Sequence, residues 1–378
     1  MNYKGPYYRY DIGLLNETIS TAMKTAELYN CQLHYAIKAN HEPEILKHIR
    51  RGGFGIDCVT AEEIEHAILQ GWHPGSIVFA GSGKTIWEID YALSQQIFVI
   101  HCESIEEYQY VQQKIKSTQS KTKIALRVNP EVISKTHGKI STGERHHKFG
   151  LTIEETKAIL NNNNDVYGLH FHIGSQILDF TVFENLSLTV RGLIESLTTR
   201  IEYLNLGGGL GVNYDNPSQD RVADFKNWFK AIRKHLPESI IRTIHLEPGR
   251  SIVAQCGSLI GSVQYIKNRG SQQIAILDVG MNQLMRPAMY GARHHISILG
   301  DHFITQKYTV CGPSCESSDL FGHDFELPSL NQGDIMMIHS TGAYGSSMQL
   351  NYNLRKQIPS QYINQKIITG LKILSKAS

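Results

Sequence analysis

Short motifs with reactive side chains recur along this chain, each directly after or at the end of an apolar run typical of a strand. The first is Lys38, in Tyr35-Ala-Ile-Lys38-Ala-Asn40. Four more follow in order: His170-Phe-His172-Ile-Gly-Ser175-Gln176, Gly207-Gly-Gly-Leu-Gly211, Glu247-Pro-Gly-Arg250 and Cys315-Glu316-Ser-Ser-Asp319. Together they supply an amine, an aromatic ring, a glycine loop, a carboxylate beside an arginine, and a thiol. That set of groups fits pyridoxal phosphate chemistry.

Lys38 supplies the amine that this chemistry requires. The amine reacts in its unprotonated form, and partial burial or a nearby cation lowers the pKa of a lysine. The loop 207–211 follows a predicted strand, and glycines there let backbone N–H groups approach a phosphate. It lacks the G-x-G-x-x-G spacing, so we do not predict dinucleotide binding. The structural alternatives are a lysine that only ends a strand and a flexible turn.

Four further side chains complete the polar set. A carboxylate such as Glu247 beside a pyridine nitrogen keeps that nitrogen protonated, which makes the ring the better electron sink. Arg250 suits a phosphate or a substrate carboxylate. His172 lies nearer than His170 to the end of its predicted strand and is the better residue for stacking on a ring. Asp57 either orients His172 or the cofactor, or is a plain turn aspartate.

Two alternatives involve a metal ion. His170 and His172 lie two residues apart on one predicted strand, so both project to the same face, as in metal-dependent barrel hydrolases. The following Gly174-Ser175-Gln176 adds no acidic ligand. Cys311 and Cys315 form one close thiol pair, but two thiols without further ligands make a poor zinc site. We therefore expect no metal.

The composition narrows the class of partner. The 378 residues are 41% hydrophobic and carry a net charge of +2, with no long run of one sign. These values argue against a nucleic acid or a membrane surface as the main partner. The first residues lack an apolar signal segment, and the six cysteines are scattered along the chain. We expect a cytoplasmic protein that acts on a small molecule.

Strand-like and helix-like runs alternate from about residue 30 to residue 257. Eight predicted strands begin near residues 32, 54, 76, 97, 124, 166, 203 and 243, and helical spacing of apolar residues fills most of the intervals. Eight strands that alternate with helices predict a parallel sheet, and eight is the number that closes a (β/α)8 barrel. A doubly wound open sheet is the alternative.

The pattern changes after residue 257. Short alternating runs separated by glycine, proline and asparagine turns indicate an all-β domain, and Tyr7–Tyr10 is placed to pair with it. We therefore predict an α/β protein with a TIM-type barrel over residues 21–257, and a β domain formed by residues 1–20 and 258–378. In that domain, Gly342-Ala-Tyr344-Gly345 indicates a loop that brings a phenol close to a ligand.

In these motifs the chain resembles the fold type III pyridoxal-phosphate-dependent decarboxylases, which have an alanine-racemase-type barrel and a β domain. The likeness extends over nearly the whole chain and includes Asp278-Val-Gly-Met-Asn282 and Arg286-Pro-Ala-Met-Tyr290. It implies pyridoxal 5'-phosphate as the cofactor, carried by Lys38. The cofactor contacts implied by the resemblance are Lys38, Asp57, His172, Ser175, Gly207, Gly208, Gly209, Glu247, Arg250 and Tyr344.

The resemblance also implies substrate contacts and a partner subunit. Lys38 and Cys315 are expected to be catalytic, and one of them returns a proton to Cα of the substrate. Cys315 and Glu316 are expected to enter the site across a homodimer interface, with Glu316 at the distal amino group. The substrate contacts implied are Arg250, Arg286, Tyr290, Glu316 and Tyr344.

Two features favour meso-2,6-diaminopimelate as the substrate and L-lysine as the product, the last step of lysine biosynthesis. Arg286 adds a cation for a second carboxylate, and Cys315-Glu316-Ser matches the family members with that substrate. The alternatives are decarboxylation of ornithine, arginine or lysine, racemisation on the same fold, and a non-catalytic protein that binds pyridoxal phosphate.

The segment Ser134–Gly150 follows the fifth predicted strand and shows no clear periodicity. Segments of this length without regular structure in a compact domain are often lids. We expect this one to close over the substrate.

Overall fold

The computed structural model describes residues 3–130, 148–270, 272–299 and 305–364. Strands and helices alternate in the first two thirds of these residues, and strands dominate the rest. The strands are β1 (Tyr7–Asp11), β2 (Cys31–Ala36), β3 (Gly55–Cys58), β4 (Ile77–Phe79), β5 (Val99–Cys102), β6 (Lys123–Arg127), β7 (Val166–His170), β8 (Tyr203–Asn205), β9 (Ile244–Leu246), β10 (Gly257–Arg269), β11 (Gln272–Leu277), β12 (Ile296–Leu299), β13 (Thr305–Cys311), β14 (Leu320–Pro328), β15 (Ile335–Ile338) and β16 (Ser360–Ile363).

The helices become shorter toward the end of the chain. They are α1 (Ile12–Leu28), α2 (Pro43–Arg51), α3 (Ala61–Leu69), α4 (Ile86–Ser94), α5 (Ile105–Thr118), α6 (Ile153–Asn162), α7 (Phe180–Glu195), α8 (Phe225–Arg233), α9 (Arg250–Val253) and α10 (Arg286–Tyr290). In the part of the chain that the structure describes, no helix combines the length and the apolar character that a membrane crossing needs.

The strands β2 to β9 form a closed parallel barrel, in which β2 pairs with both β3 and β9. This closure confirms the predicted (β/α)8 barrel and excludes the open sheet. The strands β3, β4 and β5 are buried along their whole length, as expected for parallel strands covered by helices. Of the described residues, 19–130, 148–212 and 223–252 make up this compact unit, the barrel unit.

Four of the barrel helices begin with the same capping pattern. A serine or threonine accepts a hydrogen bond from the backbone N–H of a glutamate three residues later, and in α4 and α6 that glutamate also bonds back to the cap. Such caps satisfy backbone N–H groups that the first helical turn leaves unpaired. They therefore fix the turns that lead from strand ends into helices. The cap residues are Thr60, Thr85, Ser104 and Thr152.

The second compact unit, the β unit, contains residues 3–18, 213–222 and 253–364 of the described chain. Its sheet has the strand order β12-β15-β10-β11-β13-β14, and β1 pairs with β10 and with β16. The predicted pairing of the N-terminal segment with this domain is confirmed, since Tyr7 faces Ile260 in an antiparallel register. Residues 213–222 lie between β8 and α8 in sequence, inside the range that the sequence assigned to the barrel, and belong to the β unit.

The predicted lid, Ser134–Gly150, lies outside the described residues over positions 134–147. Its closure over a substrate therefore stays a prediction.

The contact between β7 and β8 allows a test of barrel packing. A Cβ at Gly168 in β7 would lie 1.9 Å from the carbonyl oxygen of Tyr203, whereas a Cβ at Gly192 in α7 would meet no heavy atom within 4 Å. We expect Gly168→Ala to lower the free energy of unfolding by about 2 kcal/mol or more, because β7 and β8 must separate. Gly192→Ala, the control, should raise it by about 0.5–1 kcal/mol. Urea unfolding of both variants measures this difference, and equal effects would contradict it.

Candidate active site

Lys38 lies just beyond β2, in the 3₁₀ turn Ile37–Ala39. Its Nζ is 3.3 Å from Oδ2 of Asp57, and the Lys38 side chain is 40% exposed while that of Asp57 is 1% exposed. Lys38 was predicted to end its strand, whereas the pairing of β2 with β3 ends two residues earlier, at Ala36, where the chain turns. Asp57 lies within β3 and is buried, so the plain-turn alternative is excluded.

Asp57 is an acid with an elevated pKa. Burial first, and then the neighbouring Glu247 carboxylate, raise the pKa of Asp57 to about 7, while Lys38 opposes the shift. Its second oxygen, Oδ1, is buried and has no hydrogen-bond partner among the described residues. Buried polar atoms are nearly always hydrogen-bonded, so this oxygen marks a position where a polar group of a bound molecule fits.

Glu247 directly follows β9 and is held by two side chains. Its Oε1 accepts a hydrogen bond from Asn205 Nδ2 at 2.7 Å, and its Oε2 lies 3.3 Å from His170 Nε2. Burial raises the pKa of Glu247 to about 7, while Lys38 and Arg127 lower it. A buried, fixed carboxylate of this kind suits the nitrogen of a pyridine ring, which it can keep protonated.

Asn205 connects this acid to the glycine loop. The same side chain that donates to Glu247 accepts a hydrogen bond from the backbone N–H of Gly207 at 2.8 Å. Its Nδ2 also lies 2.8 Å from the hydroxyl of Tyr203. The sequence analysis did not select Asn205, because an asparagine at a strand end looks like an ordinary turn residue. Its position, two residues before Gly207, was the available signal.

The two histidines of the His170-Phe-His172 motif have different roles. His170 lies in β7 and stacks on His101, with ring centroids 4.1 Å apart. His172 lies two residues beyond β7, and its Nδ1 accepts a hydrogen bond from the N–H of Gly208 at 3.3 Å. Burial, followed by the charges of Arg127 and Lys38, holds the pKa of both histidines well below the ordinary value. His172 is therefore a neutral ring beside the glycine loop.

The glycine loop packs against both of these groups. Gly207 and Gly209 have φ angles of +68° and +107°, which favour glycine, and a Cβ at Gly208 would lie 2.3 Å from the carbonyl oxygen of Glu247. The N–H groups of Gly207 and Gly208 donate to Asn205 and His172. Glycine is thus required here for close packing, and the role of the loop toward a phosphate stays a prediction.

Arg250 and Ser175 form a second polar pair in the barrel unit. The guanidinium of Arg250 donates from Nη2 to the Ser175 hydroxyl at 3.0 Å and from Nε at 3.3 Å. Arg250 is buried and Ser175 half-buried. A buried arginine directed at a hydroxyl is a suitable binding group for a phosphate or a carboxylate.

Arg127 and Glu103 are buried site residues that the sequence analysis missed. Arg127 is the last residue of β6, and its Nη1 lies 2.6 Å from Glu103 Oε1. The positive charge of Arg127 contributes to the low pKa of His172 and opposes the rise in the pKa of Glu247. Both residues lie at or just after the ends of barrel strands, which is the signal that would have identified them.

The remaining predicted site residues belong to the β unit. Arg286 is buried and Tyr290 is half-buried, both in α10, while Tyr344 is half-buried with a φ of +57°. Cys315 and Glu316 are exposed, and the Glu316 carboxylate accepts a hydrogen bond from Tyr352. The barrel unit carries the other nine, namely Lys38, Asp57, His172, Ser175, Gly207, Gly208, Gly209, Glu247 and Arg250.

The loop that carries Cys315 and Glu316 is organised by Asp319. The buried Asp319 carboxylate accepts hydrogen bonds from the N–H of Met281 at 2.6 Å and from the N–H of Ser314 at 2.7 Å. The carboxylate thereby closes its own loop and links it to the segment that carries Met281. Cys315 and Glu316 are exposed on a loop whose base is fixed.

The group of possible metal ligands in the described residues differs from the pair that the sequence indicated. His101, His170 and Glu247 are buried, with ligand atoms within 4.8 Å of one another. Glu247 already accepts a hydrogen bond from Asn205, and His101 Nε2 lies 3.0 Å from the Tyr203 hydroxyl. His172 is not part of this group, so the alternative in which His170 and His172 share a metal ion finds no support among the described residues.

The groups of the barrel unit fit pyridoxal phosphate. They offer an amine, a neutral ring, a buried acid for a pyridine nitrogen and a buried carboxylate oxygen without a partner among the described residues. A family model described as pyridoxal-dependent decarboxylase, pyridoxal binding domain, matches residues 14–254. A diaminopimelate decarboxylase from Bacteroides thetaiotaomicron is 39% identical over 372 residues, which cover 96% of each chain.

The chain belongs to the diaminopimelate decarboxylase family. A relative of that name from Helicobacter pylori is 37% identical, over 94% of this chain and 89% of its own length. The crystal structure of the Helicobacter pylori diaminopimelate decarboxylase complexed with L-lysine matches with a TM-score of 0.89 at 34% identity, covering 97% of this chain and 93% of that one. Because the family model describes a pyridoxal-binding domain, pyridoxal phosphate is the cofactor of this member of the family.

The elevated pKa of Glu247 predicts a pH-dependent stability of the cofactor-free protein. With a folded-state pKa of about 7 against an ordinary 4.5, folded Glu247 keeps a proton that the unfolded chain releases. The resulting stabilisation is complete below about pH 4.5 and is lost as the pH rises through about 7. Glutamine does not ionise, so the stability of Glu247→Gln relative to the unmodified chain should increase from pH 5 to pH 8.

Urea unfolding across this pH range measures the difference in the free energy of unfolding between Glu247→Gln and the unmodified chain. Glu65→Gln, at an exposed position of α3, is the matched control and should show no such trend. A constant difference between Glu247→Gln and the unmodified chain would contradict the assignment.

Proposed function

We propose that this protein decarboxylates meso-2,6-diaminopimelate to L-lysine, the last step of lysine biosynthesis. One observation carries the proposal: the Lys38 amine lies beside a buried acid at the end of a barrel strand, in a chain that belongs to the diaminopimelate decarboxylase family. Active sites of such barrels lie at the carboxyl ends of the strands, where Lys38, Glu247 and His172 are found.

The barrel residues would hold the cofactor. Lys38 would bond to it, the neutral ring of His172 would stack on it, and Glu247 would keep its pyridine nitrogen protonated. Arg250 and Ser175, with the glycine loop and Tyr344, would bind its phosphate. When bound, pyridoxal phosphate supplies an electron sink for the pair of electrons left on Cα as CO2 departs.

Asp57 would position the Lys38 amine for its bond to the cofactor. The buried carboxyl group of Asp57 lies beside that amine, and its Oδ1 would pair with a polar group of the cofactor. Preorganised charges of this kind need no rearrangement as the reaction proceeds.

The substrate residues lie mainly in the β unit. Arg286 and Tyr290, with Arg250, bind the substrate carboxylates, and Glu316 binds the distal amino group. By holding the other groups of the substrate, these residues would orient the carboxylate that is lost as CO2. Either Cys315 or Lys38 then returns a proton to Cα, which completes L-lysine.

A second subunit completes the site in this proposal. Cys315 and Glu316 are exposed on a loop with a fixed base, which suits donation across the interface of a homodimer. All six cysteines are free thiols, which fits a reducing cytoplasm.

The substrate assignment is tested by CO2 release from four amino acids assayed side by side: meso-diaminopimelate, ornithine, arginine and lysine. We expect release from diaminopimelate alone. Lys38→Ala should lower turnover by about a thousandfold or more, because the amine that carries the cofactor is lost. Lys47→Ala, at a partly exposed lysine of α2, is the control and should retain activity. Release from a different amino acid would contradict the roles given to Arg286 and Glu316.

Shared sites are tested by mixing two inactive variants. Lys38→Ala and Cys315→Ala homodimers each carry two defective sites, whereas a mixed dimer carries one intact site if Cys315 is donated by the other subunit. Random exchange should therefore restore about a quarter of the normal activity. Verified subunit exchange without recovery would show that each site is built from one chain.

A further inference from the structure

The guanidinium of Arg286 is held by a histidine and a tyrosine. Arg286 has 5% of its surface exposed, and its Nη1 lies 2.6 Å from Nε2 of His294. Its Cζ lies 4.4 Å from the centre of the Tyr214 ring, and Tyr214 packs edge-on against His294 with centroids 4.9 Å apart. The hydrogen bond restrains the direction of the guanidinium, and the stacking contact restrains its plane.

The same contacts determine the protonation of His294. Arginine only donates hydrogen bonds, so His294 must accept through Nε2, and this hydrogen-bond network assigns its proton to Nδ1. Nδ1 lies 2.8 Å from the carbonyl oxygen of His339, which only accepts. The side chain of His339 in turn lies 2.7 Å from the hydroxyl of Ser297 in β12. The neutral form of His294 is therefore the one that fits both neighbours.

The backbone around His294 is part of the β unit's hydrogen-bonded framework. The N–H of His295 donates to the carbonyl oxygen of Tyr214 at 3.1 Å, and the N–H of His339 donates to the carbonyl oxygen of His295 at 2.9 Å. His294 itself is 2% exposed. The direction of the Arg286 guanidinium is consequently set by a fixed neighbour rather than by a mobile side chain.

We propose that His294 is a specificity-determining positioning residue, which orients Arg286 toward the substrate carboxylate that remains in the product. The inference rests on the proposed function, in which Arg286 binds that carboxylate. Binding of a carboxylate by a guanidinium depends strongly on direction, so Arg286 without its neighbour would bind it less well. A ligand without that carboxylate would be unaffected.

L-Lysine and cadaverine provide the test, because they differ only in this carboxylate. Their dissociation constants are measured by calorimetry on the protein loaded with pyridoxal phosphate. His294→Leu removes the acceptor, whereas His294→Gln keeps an acceptor oxygen near the position of Nε2. Should His294→Leu not fold by circular dichroism, His294→Asn takes its place, because its shorter amide can still donate to the His339 carbonyl but places no acceptor at the position of Nε2.

We expect His294→Leu to weaken L-lysine binding by about 10- to 100-fold and cadaverine binding by less than about twofold. His294→Gln should recover most of the L-lysine affinity. KM for diaminopimelate should rise in His294→Leu more than kcat falls. Equal weakening of both ligands, or no rescue by His294→Gln, would overturn the inference.

Arg286→Leu separates the failure of this inference from that of the proposed function. If Arg286→Leu weakens L-lysine binding and His294→Leu does not, the inference alone is wrong. If Arg286→Leu leaves L-lysine binding unchanged, the role of Arg286 in the proposed function is wrong, and the role of His294 falls with it.

Discussion

Two carboxylates, Asp57 and Glu247, are buried in the barrel unit close to one partly exposed lysine, and this arrangement constrains the rest of the site. Burial raises the pKa of both acids to about 7, so each is costly to ionise without a partner. Lys38 compensates Asp57 directly, and the side chains of Asn205 and His170 hold Glu247 in place. A bound pyridine ring and its substituents would supply further hydrogen-bond partners for these two acids.

The barrel fixes the positions of the side chains that surround these two acids. Closure of the barrel places the residues that follow its strands at one edge, and capped helices fix the turns that leave that edge. Asn205 then joins the acid to the glycine loop through a donor and an acceptor on one amide. A displacement of the loop would therefore be transmitted to Glu247, which couples the two ends of the expected cofactor site.

Much of this could be predicted from the sequence, because the barrel is built from local patterns. All eight barrel strands and the helices between them follow from hydrophobic periodicity and from serine or threonine caps. Strands β12, β14 and β16 of the β unit do not follow from such patterns, and β14 shows why: its pairing with β13 shifts register near Val310, which breaks the alternation. Asn205 was missed because its role depends on Glu247, 42 residues away in sequence. His294 was missed because its orientation depends on the backbone oxygen of His339, 45 residues away.

The central claim is that Lys38 is the residue that carries the cofactor. The most direct test is borohydride reduction of the protein loaded with pyridoxal phosphate, followed by proteolysis and mass spectrometry of the peptides. We expect a single pyridoxyl adduct on the peptide that contains Lys38, and no such adduct in Lys38→Ala. An adduct on a different lysine, such as the buried Lys84, or no adduct at all, would contradict it.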